Sequence, residues 1–89
     1  MTTELDLMRL RLYQVLMNHG TAIGLDRPTV LKACRIAVRI KDKQPATWVV
    51  MGTRHLVDLG LTFRETTLIK KALYNWLNSR VAVELQVEQ

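Results

Sequence analysis

The sequence predicts a mainly all-α single domain spanning residues 1–89. Its expected form is a compact bundle of four helices, over about residues 3–18, 27–43, 45–59 and 63–79, with a C-terminal β-strand over about 81–87. Three observations predict this. Apolar residues recur at steps of three and four along most of the chain, the spacing of one helix face. Gly, Pro, Asp and Thr punctuate that pattern where helices should stop and start. Strict alternation of apolar and polar residues occurs in one place, VAVELQVEQ at the C-terminus.

The first helix takes its cap from Thr2 or Thr3, with Glu4 and Asp6 complementing the helix dipole in its first turn. Leu5, Met8, Leu12, Val15 and His19 then form one apolar seam, and Gly20 is placed to end the helix in a left-handed conformation. Leu7, Leu10 and Met17 add a second apolar flank, which suggests burial on two sides, partly by another subunit.

Asp26 is the N-cap candidate of the second helix, and Pro28 sits just inside its first turn. Val30, Cys34, Ala37 and Val38 form its inward face. The third helix opens at Pro45 and closes before Gly60. Trp48, Val49, Val50, Met51, Leu56, Val57 and Leu59 cover most of its circumference and make it the expected central element.

The fourth helix has the clearest start, a Thr62-x-x-Glu65 capping box in which each side chain serves the other residue's free N–H. Phe63, Thr66, Ile69, Leu73 and Trp76/Leu77 trace its expected buried face. Beyond it, Val81, Val83, Leu85 and Val87 alternate with polar or small residues, the period of a half-buried strand. A lone strand needs a partner for its backbone groups. Pairing with its own copy in a homodimer is the expected solution. A hairpin with residues 21–25, a continuation of the fourth helix, or a disordered end are the alternatives. The expected dimer interface therefore joins Leu5, Met8 and Leu12 of the first helix to Val81, Val83, Leu85 and Val87.

Composition narrows the function. Apolar residues are 48% of the chain and charged residues 24%, which is ordinary for a folded domain. The net charge is +5; all thirteen Lys and Arg and six of the eight acids lie within residues 1–80, while Glu84 and Glu88 make the remainder acidic. A basic body favours phosphate-rich or acidic partners. MTTELDLMRL has acids where a secretory signal would be basic, and no apolar run is long enough for a bilayer, so a cytoplasmic location and no membrane contact are expected.

No pattern of residues carries catalysis. Cys34 is the only cysteine, and His19, His55 and Asp58 match no metal-ligand spacing, so no enzyme, metal or cofactor is expected.

The basic residues do form surfaces. Lys32, Arg35, Arg39 and Lys43 step by three, four and four along the second helix, a stripe able to track a phosphate backbone. On the fourth helix Arg64, Thr67, Lys71, Tyr74, Asn75 and Asn78 share an outward face, with Lys70 adjacent. These side chains carry the donors and acceptors that bases and phosphates use. The third and fourth helices, joined by Gly60-Leu61-Thr62, have a helix-turn-helix-like layout with the fourth as reader. The expected function is a small nucleic-acid-binding regulatory protein, acting as a homodimer and preferring DNA. The alternative is a protein-interaction module that inhibits or adapts an acidic partner surface.

The run MGTRHLVDLGLTFRETTLIKKALYNWLNSR also resembles the middle of FinO/ProQ-type RNA-binding domains. In those domains an Ile-Gly-type motif precedes one helix, and an Ala-Leu…aromatic…Ser segment ends the next. Met51-Gly52, Ala72-Leu73, Trp76 and Ser79 are the corresponding positions; the Pro-Leu-x-Ile-Gly lead-in is replaced, and an acidic tail follows. The resemblance implies RNA as the ligand.

Overall fold

All three capping residues nearest a helical pattern start helices. Thr3 Oγ1 accepts from the Asp6 N–H, and the Asp6 carboxylate accepts from the Thr3 N–H in return. Asp26 Oδ1 accepts from the Thr29 N–H at 3.0 Å, and Thr62 and Glu65 exchange bonds of 3.1 and 2.9 Å. The computed structural model describes residues 2–88, with side chains described through Val81. Among them run α1 (Glu4–Met8), α2 (Arg11–Gly20), α3 (Arg27–Arg39), α4 (Pro45–Val50), α5 (Thr53–Asp58) and α6 (Phe63–Glu88). A 3-10 turn at Thr21–Ile23 follows α2.

Two of the four expected helices are divided. The first breaks at Arg9–Leu10, where Leu10 takes an extended conformation and begins α2 without a side-chain cap. Leu7 and Leu12 are both buried, yet on one straight helix they would point about 140° apart. The break lets α1 lie on α3 while α2 packs against α6. The third expected helix breaks at Met51–Gly52, both extended, giving α4 and α5. Trp48 and Leu56 stay fully buried, but Val50 is 79% exposed, so this segment is not the all-round buried element its composition suggested. The most extensive contact is instead between α2 and α6.

That contact explains Gly20. Its φ of −112° is not left-handed, and the left-handed turn expected there falls at Gly24. Gly20 matters for space: a Cβ would lie 2.5 Å from Leu25 Cδ2 and 3.2 Å from the Ala72 Cβ of α6. α3 stops at Arg39, short of the expected Lys43. Lys41 adopts φ +57°, and the Lys41 and Asp42 N–H groups return to the carbonyls of Val38 and Ala37, a Schellman ending without glycine.

The C-terminal strand is not formed: the backbone from Phe63 continues as helix through Glu88. No glycine or proline interrupts residues 63–88, and Ala82, Glu84, Leu85 and Gln86 are good helix formers. A helix also satisfies its own backbone groups, which a lone strand in a helical protein does not. The side chains of Val83, Leu85 and Val87, expected at a dimer interface, lie outside the described residues. Leu12 is fully buried within the monomer, Met8 is partly buried, and Leu5 and Val81 are exposed.

The 26 residues of α6 make it about 39 Å long, accounting for most of the 45 Å long axis. Every residue from Leu77 to Val81 is exposed, so the helix runs past the bundle. Among the described residues no helix is long and apolar enough to cross a membrane.

Candidate nucleic-acid interface

The corner between α5 and α6 is built from adjacent local motifs. Leu59 caps α5, and Gly60 follows at φ +121°, a conformation side chains resist. The Gly60 and Leu61 N–H groups donate back to the carbonyls of Val57 and Leu56, closing a Schellman motif. Leu61 and Leu56 are both buried, as the hydrophobic contact of that motif requires. Thr62 and Glu65 then open α6.

Long-range contacts lock this corner onto α3. Lys32 Nζ donates to Glu65 Oε1 at 2.8 Å, and Arg39 Nη2 donates to the Leu59 carbonyl at 2.7 Å. Two side chains two turns apart on α3 thus hold the start of α6 and the end of α5. Partial burial pushes the Glu65 carboxyl up. The Lys32 ammonium and the Thr62 N–H and hydroxyl outweigh it and hold the group below the ordinary glutamate range.

The expected cationic stripe therefore divides by role. Lys32 and Arg39 are bound within the fold. Arg35, which lies between them on the same face, is exposed and has no hydrogen-bonding side-chain or backbone partner among the described residues. Lys43 is exposed beyond the end of α3. Lys70 is likewise internal: its Nζ donates to the carbonyls of Val49 and, at 2.6 Å, Met51. Those carbonyls are left without helical partners where α4 ends, and a cation is well placed at a helix C-terminus.

The outward face of α6 is as expected in position. Arg64, Thr67, Lys71, Tyr74, Asn75 and Asn78 are all exposed, and no acid stands among them. Thr67 Oγ1 donates back to the Phe63 carbonyl at 2.9 Å, leaving its lone pairs outward. Between this face and α3 lies a shallow cavity of about 250 Å³, lined by Gly24, Asp26, Thr29, Arg64, Glu65 and Leu68. Its carboxylates are already used as caps. The Thr29 hydrogen bonds, with the Arg64 charge adding, hold Asp26 below the usual carboxylate range. With two carboxylates beside one guanidinium, the cavity does not favour an anion.

Two residues expected on the buried face of the fourth helix, Phe63 and Leu77, are exposed. Phe63 is 71% exposed. It lies about 60 to 120° around the helix from the buried positions Thr66, Ile69 and Leu73, an offset already present in the helical spacing. Cys34 is fully buried, and burial pushes its thiol up to about 12, which keeps it protonated and unreactive. No group of three metal-binding side chains gathers among the described residues. Compared with known proteins, the chain matches no family model, no curated protein and no solved structure.

Proposed function

We propose that this chain binds nucleic acid, with the exposed face of α6 as the principal contact and Arg35 of α3 beside it. The observation that carries the reading is the division among the cations. Lys32, Arg39 and Lys70 are consumed in holding the corner and α4, whereas Lys71 and Arg35 are exposed without such partners, and Arg64 is exposed at the rim of the cavity beside Asp26. Thr67, Asn75 and Asn78 supply polar groups between and beyond the cations. The arrangement suits backbone contact first and base contact second. The proposed role is that of a regulatory protein that binds DNA, with RNA as the alternative ligand.

Salt dependence is the direct test. With Arg35, Lys43, Arg64 and Lys71 as contacts, roughly four phosphates are neutralised, and duplex affinity should fall about a hundredfold between 50 and 200 mM salt. Arg64→Ala or Lys71→Ala should reduce the slope by about one unit each. No retardation of any nucleic acid at low salt overturns the proposal. A protein partner is the second reading, favoured by the exposed Val50, Leu77 and Val81.

A further inference from the structure

Five side chains in this protein are aromatic. Tyr13, Trp48 and Trp76 are buried in the core, while Phe63 and Tyr74 are 71% and 49% exposed. Exposing an aromatic ring forgoes the large stabilisation that its burial gives. Both exposed rings lie on one helix, and their positions are related. Phe63, Thr67, Lys70, Tyr74, Leu77 and Val81 follow steps of four and three along α6. Phe63 and Tyr74, eleven residues apart, are therefore nearly eclipsed and about 16 Å apart along the axis.

The surroundings of the two rings are cationic. Arg64 and Lys71 follow the stripe on one side, both exposed. Lys70 Nζ sits 5.4 Å from the centroid of the Tyr74 ring while anchored on the α4 carbonyls. Tyr74 is thus steadied by a cation that is itself fixed, and half of its surface remains open. Open rings among cations serve poorly as duplex readers, because bases in a duplex already stack on one another. Single strands offer free base faces, and stacking on aromatic rings with nearby cations on the phosphates is their usual mode of capture.

We infer that the α6 stripe binds single-stranded nucleic acid, with Phe63 and Tyr74 as two stacking platforms and Arg64 and Lys71 on the intervening phosphates. This rests on the nucleic-acid reading above and specifies its ligand. The positive α6 surface and the polyanion are complementary in charge, which separates this occupant from a second copy carrying the same cations on the same face.

The full chain is titrated, by fluorescence anisotropy at low salt, with labelled single strands of about a dozen nucleotides, as DNA and as RNA, and with the duplex of the same sequence. Single strands should bind at least about tenfold more tightly than the duplex. Phe63→Ala and Tyr74→Ala should each weaken single-strand binding about tenfold, and Tyr74→Phe should restore it. Both sites are exposed, so circular dichroism should show the fold unchanged. Equal or tighter duplex binding overturns the inference. Ring variants that bind like wild type, while Arg64→Ala and Lys71→Ala weaken, also overturn it but leave nucleic-acid binding standing. A concentration-dependent mass that both ring variants abolish, with binding unchanged, instead assigns the stripe to contact between copies. Failure to bind any strand sinks both readings together.

Discussion

The chain breaks its helical run at two nearby glycines, and the two breaks have different causes. At Gly60 everything needed lies within five residues: a left-handed glycine, returning hydrogen bonds to Leu56 and Val57, and the Thr62–Glu65 box. At Gly52 the glycine is extended and no side chain caps α5. There the freed carbonyls of Val49 and Met51 are satisfied by Lys70, which arrives from α6. One corner is written locally, and the other exists because of a partner distant in sequence.

Four substitutions probe that contrast. The largest expected effect is at the tertiary break. Lys70→Ala strips a charged donor from two carbonyls and should cost about 2 kcal/mol, read as a lower urea midpoint. A neutral result would mean that the break at Gly52 needs no distant partner. Next, Gly60→Ala places a Cβ at φ +121°, where nothing crowds it, so the cost is conformational: about 1 to 2 kcal/mol in the same measurement. An equal loss from Gly52→Ala, where the backbone is extended, would erase the distinction between the corners.

The smallest effect concerns the contact where local and distant causes meet. Glu65→Gln weakens both the capping box and the Lys32 bridge, and should cost about 0.5 to 1 kcal/mol at pH 7. The Glu65 carboxyl is depressed in the fold. Its stabilisation is therefore complete above the unfolded glutamate value of about 4.3 and is lost as pH falls through the lower folded value. The gap between wild type and Glu65→Gln should hold near neutrality and close in acid. A gap that persists in acid after the folded carboxyl has been protonated would assign the loss to something other than charge.

The same division governs what was legible in the sequence. Helix starts at Thr3, Asp26 and Thr62 were readable, because a cap bonds to a group three residues away. The exposed face from Arg64 to Asn78 was readable for a similar reason, since helical spacing places it opposite the buried positions. The breaks at Leu10 and Met51 were not, and the helical continuation to Glu88 was legible only as an alternative to the expected strand. Period-two alternation at residues 81–87 is a pattern of polarity, and a helix that satisfies its own backbone can override it.

Charge shows the limit most clearly. The sequence by itself determined that Lys32, Arg35 and Arg39 share a face and that Lys70 and Lys71 adjoin another. Only the tertiary structure decided which of them are available to a ligand. Lys32, Arg39 and Lys70 found Glu65, Leu59 and the end of α4; Arg35 and Lys71 remained outside. Sequence spacing specifies the direction of a side chain, whereas the groups that meet it come from segments many residues away. A helix face is a local property, and the freedom of its charges is a property of the packed whole.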